Sequence, residues 1–378
     1  MPINFQAPVD SSAENSFDRY RNQPVKVTDG YVNIGGRSFP RSDALNCGGR
    51  MGTVSVEQIA RRMEHYDRLT RGEYKPQLAA LTCAVTKNPQ ALDLYFPIVN
   101  MLDEPELATF YQFIQELTQC PELDVQLWAE DRTNLTDQLP GDVSYLVAGH
   151  LAEIFFYRRD ILERFLSQPR HIRLYVTRRA FLDDGGQAGG NYDPETESLQ
   201  LVLSRLVEGF YGPAPGVAPF LHEFGHMLDA FDAATGRMGP GDGLLPGLNP
   251  SDGSIYTPSA RELFIKGKQI ELERYLVRYR NKAKPRDPLP IGHPYVFQND
   301  AEFAAGYFEM FFRNPHYFAG QNPDLFQSYV ELFRYDTRRA WKQDFPFYIN
   351  ENRNFYLTGR ERPWKPGITI PRTGIEPR

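Results

Sequence analysis

Long apolar runs are missing from this sequence of 378 residues, and none approaches the about 20 consecutive apolar residues of a membrane-spanning helix. A basic excess is missing as well. The 42 Lys and Arg are interspersed with 48 Asp and Glu, a net charge of −6, so no stripe exists to hold a phosphate backbone. Neither membrane nor nucleic acid is expected as a partner. Cysteine is scarce: Cys47, Cys83 and Cys120 lie far apart without a CxxC pair, which excludes a zinc ribbon or a dense disulfide framework and leaves free, buried thiols. The opening stretch, MPINFQAPVDSSAENSFDRY, lacks the basic start and apolar core of a secretory signal. The expectation is a soluble, cytoplasmic protein.

What is present is the composition of a globular chain, 41% hydrophobic and 13% aromatic, long enough for two or three packed units. Residues 1–52, rich in Asn, Ser, Gly and Pro, read as an irregular arm. Helical signals dominate from Val54, and residues 53–142 read as a helical extension. DEPELATFYQFIQELT, residues 103–118, begins with an acidic cap and an early proline and sets apolar residues at helical spacing. A further helix is predicted over 143–166, ending before Pro169. The period then changes to alternation in HIRLYVT, 171–177, and SLQLVLS, 198–204, which predicts two strands. The Gly-rich stretch between them lacks the ending of a phosphate cradle and reads as a loop. A long Gly/Pro segment after Asp232 has the length of a functional rim or lid. Helices are predicted near 260–280, 300–313 and 323–335, and residues 343–378 read as an aromatic, Pro-rich tail on the surface.

The chemistry is concentrated in FLHEFGHMLDAFD, residues 220–232. On a helix His222 and His226 differ by about 40° and one turn of rise, so both imidazoles can reach one ion. Zinc takes two such nitrogens and leaves room for a third ligand and a water, with Glu223 beside them as general base. The competing interpretation is an amphipathic core helix built on Phe220, Leu221, Phe224, Met227 and Leu228. Gly225 would let another backbone approach between the ligands, although glycine costs a helix about 1 kcal/mol. Asp229 shares the face of the histidines, either to orient an imidazole or as a solvated surface aspartate.

A third histidine six residues after His226 would extend the motif, but Asp232 stands there. Asp232 itself is turned away unless the helix ends first, and His293 and several glutamates remain candidates. In PYVFQNDAEFAAGYFEMFFRNP, residues 294–315, Glu302, Gly306 and Glu309 share one stripe, with Gly306 allowing close approach to the motif helix. Asn299 and Glu302 also have the spacing of a capping box, so the residues alone leave Glu302 as a ligand or as a cap.

HEFGHMLDAFD, followed by PYVFQNDAEFAAGYFEMFF and NPDLFQSYVELFRYD, resembles the MtfA (Mlc titration factor A) family of zinc-dependent peptidases, over roughly residues 145–340. The resemblance implies a zincin-like α+β metallopeptidase core of the gluzincin type, mainly helical, with a small sheet over the HExxH helix, in a domain spanning 143–342. It implies one zinc per chain on His222, His226 and Glu302, Glu223 as general base, and Tyr295 as stabiliser of the oxyanion; from their helix faces, Asp229 and Glu309 are expected behind the ligands. A peptide or protein is the implied substrate. The alternative it carries is a regulatory protein that sequesters a protein partner such as a transcriptional repressor. EFAA in place of EFFA, Gly225 where alanine is common, and the long segment before residue 145 depart from the family pattern without removing a ligand.

Overall fold

The computed structural model describes residues 96–371, apart from 140, 187–189, 208–217, 242, 246–256, 281–287, 342–343, 345 and 359–363, together with three strands between residues 25 and 40. Cys47, Cys83, the helical signals of 54–95 and residues 242 and 246–256 of the Gly/Pro segment after Asp232 lie outside the described residues. Strands β1 (Val25–Thr28), β2 (Tyr31–Ile34) and β3 (Arg37–Pro40) form an antiparallel meander. This corrects the reading of residues 1–52 as irregular. Alternating VKVT and YVNI flank Asp29-Gly30, a strong hairpin dipeptide that composition alone obscures.

The body mixes helices with one four-stranded sheet. Helix α1 (Glu104–Thr118) starts at Asp103, whose side chain accepts the N–H of Glu106 while Glu106 reaches back to the N–H of Asp103. Strand β4 (Leu123–Trp128) follows, then α2 (Gly141–Phe155) and α3 (Arg159–Phe165). The single helix expected over 143–166 is thus broken. Arg158 adopts a non-helical conformation, and its buried guanidinium bonds the Asp160 carboxylate and the carbonyl of Leu332. Next come β5 (Arg170–Tyr175), α4 (Arg178–Asp183), β6 (Gly190–Asp193) and β7 (Ser198–Val202).

The sheet runs β4-β5-β7-β6, parallel across β4, β5 and β7, with β6 antiparallel to β7. Leu123, Val125, Leu127, Ile172, Leu174, Leu199 and Leu201 turn one face into the core, where alternation puts every second residue. Because β4 pairs with β5, the sheet begins before residue 143, inside the segment read as a helical extension.

The motif helix α5 (Pro219–Asp229) packs against β6 and β7 on one side. Short strands β8 (Phe231–Asp232) and β9 (Arg237–Met238) follow it, then α6 (Pro258–Arg280), α7 (Asp300–Arg313), α8 (Pro315–Gln321), α9 (Pro323–Phe333) and α10 (Pro346–Thr358). Helix α7 is the second wall of α5 and is buried from Phe303 to Arg313. A methyl at Gly225 would sit 2.8 Å from Ala305 Cα, so the glycine sets how closely α5 and α7 approach. Gly306, expected to serve that approach, instead faces Val296 in the 3-10 turn Pro294–Phe297, 2.4 Å from where its Cβ would be.

Arg313 and Glu153, both buried, pair at 3.0 Å and tie α7 to α2; removing one partner of such a pair costs about 3–5 kcal/mol. The tail is more ordered than its composition suggests: in α10, Asn352 and Tyr356 share one face and bond the carbonyls of Ile291 and Gly292. No described helix is long and apolar enough to cross a membrane. Cys120 is a free, half-buried thiol that donates to Glu122.

Candidate metal centre

Proline at N1 and an unbroken apolar face make α5 a helix, and its stripe of Phe220, Leu221, Phe224, Met227 and Leu228 is buried. The opposite stripe carries His222, Glu223 and His226, each only partly covered. The imidazole rings of His222 and His226 lie 5.0 Å apart, centroid to centroid.

Glu302 meets them from α7. Its Oε2 is 3.1 Å from His222 Nε2 and 3.5 Å from His226 Nε2. Of the two roles left open by the sequence, the Glu302 side chain faces the histidines and does not close the capping box. The Asn299 side chain accepts the backbone N–H of Glu302 at 2.8 Å and caps α7, which leaves the Glu302 carboxylate facing the histidines. One donor atom from each of the three residues lies within 4.8 Å of the other two. Two ligands on a tetrahedral zinc are roughly 3.3 Å apart, so this nitrogen, nitrogen and carboxylate oxygen set fits a zinc-sized cation. The same spacing suits a protonated imidazole on a carboxylate. Burial works against charge on His222, but Glu302 and Glu309 outweigh it and raise the ring to about 10. Burial likewise opposes charge on Glu302, yet bonding to the two imidazoles holds its carboxyl well below the usual range.

Glu309 backs this group. Its Oε1 accepts the N–H of Ala218 at 2.6 Å, at the start of α5, and its Oε2 lies 3.6 Å from His222 Nδ1. One buried carboxylate thus joins the helix terminus to the far side of the ring and leaves Nε2 toward Glu302. Asp229 is buried, not solvated, and its Oδ1 accepts the N–H of Gly243 at 2.7 Å.

Glu223 lies under the sheet. A Cβ on Gly190 of β6 would come 3.0 Å from Glu223 Cγ and 3.2 Å from its Oε1, so β6 passes directly over this carboxylate. Burial pushes Glu223 upward in pKa, partly offset by the two histidines. Tyr295, 41% exposed, donates its phenol to Glu302 Oε1 at 2.7 Å, with its ring 6.4 Å from that of His222. Burial and this carboxylate both raise its pKa.

The other candidates are occupied elsewhere. Helix α5 ends before Asp232, whose carboxylate accepts from Ala234 N and Thr235 Oγ1 in the turn between β8 and β9. His293 accepts the N–H of Tyr295 and packs on Phe355. Gly190 and Ala305 were missed by sequence reasoning, although Ala305 closes the EFAA run; their roles come from which backbone crosses which helix. No family model matches the chain, and no curated protein matches its sequence.

Proposed function

We propose that this chain is a zinc-dependent peptidase with a zincin-like core, in which His222, His226 and Glu302 hold one zinc ion. The observation that carries the reading is the convergence of two imidazole nitrogens and a carboxylate oxygen from two helices, with a second carboxylate, Glu223, beside them. The likeness of the motifs at residues 222–229 and 295–309 to the MtfA family supports it. Zinc, when bound, would supply a Lewis acid that polarises a peptide carbonyl and lowers the pKa of water toward about 7.

Glu223 is the general base. Its raised proton affinity suits a carboxylate that takes a proton from the attacking water and returns it to the leaving amine. Tyr295, open to solvent on one side, donates its phenol hydrogen to the developing oxyanion. Glu309 keeps the His222 ring oriented through its Nδ1 side.

The substrate runs along β6. β7 is paired on both sides, by β5 and by β6, and offers no free edge to a peptide. β6 is the outer strand of the described sheet and crosses Glu223, so an extended peptide pairing with it would bring its carbonyls past the site. Glu223→Gln tests the reading: the variant keeps its zinc and loses at least 10²-fold in peptide hydrolysis. Parental turnover by that variant would remove Glu223 from the mechanism.

A further inference from the structure

We infer that residues 364–371 form a strap that positions Tyr295 and Glu302, so that the site depends on a segment more than sixty residues beyond its last ligand. The inference rests on the proposed metal site. Tyr295 and Glu302 both stand on the short run from the 3-10 turn Pro294–Phe297 into the first turn of α7. The strap grips that run repeatedly. The indole of Trp364 meets the Tyr295 ring edge-on at 6.3 Å and the His293 ring at 6.1 Å. The N–H of Gly367 donates to Phe297 O at 2.9 Å. Thr369 donates its N–H to Asp300 Oδ1 at 2.8 Å and its hydroxyl to Asp300 Oδ2 at 2.6 Å.

The anchor is strong for a surface segment. Lys268, fully buried on α6, places its ammonium 2.6 Å from the same Asp300 Oδ1. Asp300 thus sits between a buried cation and the strap, at the N-terminus of α7 where a negative charge is favoured, two residues before Glu302. Tyr275 of α6 donates its phenol to Trp364 O at 2.7 Å and fixes the strap's other end. Trp364 remains 43% exposed, so its ring is placed by its neighbours at the site and not by burial in the core. Gly367 runs so close that a Cβ there would lie 1.9 Å from Gln298 O, a backbone atom with no freedom to yield.

Two full-length variants test this. Gly367→Ala lifts the strap with one methyl, and Thr369→Val removes one anchoring hydroxyl; Thr369→Ser, which keeps it, is the rescue. Zinc affinity by chelator competition, peptide kcat and KM, and thermal melting are measured together. The expected result is an affinity about 10-fold weaker and a lower kcat at unchanged KM for both variants, with Thr369→Ser near the parent and the main melting transition retained. Parental zinc affinity and kcat in both variants would overturn the strap and leave the peptidase reading standing. A parent that binds zinc but cleaves no peptide would sink the peptidase reading, and the affinity comparison would still decide the strap. A parent with no affinity for zinc overturns both.

Discussion

Glu302 Oε2 stands 3.1 Å from His222 Nε2 across a sequence separation of 80 residues, brought there by the packing of α7 on α5. That contact is permitted by two small residues and one cap. Gly225 admits Ala305, and Asn299 caps α7 by accepting the N–H of Glu302, whose carboxylate bonds His222 and Tyr295 instead of the Asn299 backbone.

Gly225→Ala should therefore disturb both stability and metal binding. Alanine gains about 1 kcal/mol of helix propensity over glycine. The added methyl would meet Ala305 Cα at 2.8 Å, and such overpacking costs about 1–3 kcal/mol. The net expectation is a destabilised protein with weaker zinc binding, because α7 is pushed back with its carboxylate. Urea denaturation of the parent and variant, with zinc titration of each, checks this. A more stable variant with parental affinity would mean the helices have room to spare.

Tyr295→Phe should lower kcat by about 10²-fold, the cost of losing one oxyanion donor, while KM and zinc content stay near the parent. Steady-state kinetics on a quenched peptide, paired with elemental analysis, separate the phenol's role from its contact with Glu302. An unchanged kcat would make Tyr295 a structural ring only.

Zinc loading should release close to one proton at neutral pH. The His222 ring, raised to about 10 by Glu302 and Glu309 against the effect of burial, carries its proton in the metal-free chain, whereas a ligand imidazole must be neutral. Affinity should thus rise with pH below about 10. For the metal-free protein the sign follows from linkage. A folded pKa above the ordinary 6.5 gives a stabilisation fully present below that value and lost as pH climbs toward 10. Calorimetry in two buffers of different ionisation enthalpy measures the proton, and melting of metal-free protein from pH 7 to 10 measures the loss. Zinc binding without proton release would show that His222 is neutral beforehand.

The parts of the site that were legible in the sequence are those set by local periodicity. The pair His222 and His226 shares a face because four residues make about one turn, and the span of α7 followed from its cap at Asn299 and its apolar stripe. Long-range pairings were not legible. β7 alternates as a strand should, but its place inside the sheet depends on β6, whose GNYD is too short and polar to show a pattern. β4 does alternate, LDVQLW, and was absorbed into a segment read as helical because its neighbours are helices. α10 has little apolar period of its own; Asn352 and Tyr356 find their partners on the Ile291–Gly292 backbone, which only the folded chain supplies. The same holds for Asp300, an ordinary first-turn acid in sequence that joins Lys268 to Thr369 in space.

The most direct measurement is zinc content per chain, by elemental analysis, in the purified parent and in Glu302→Ala. About one zinc in the parent and a large loss in the variant, with the fold retained by circular dichroism, is the result expected if the carboxylate of α7 completes the site. Equal zinc in the two proteins, or none in a folded parent exposed to zinc, would contradict a shared ion held by His222, His226 and Glu302.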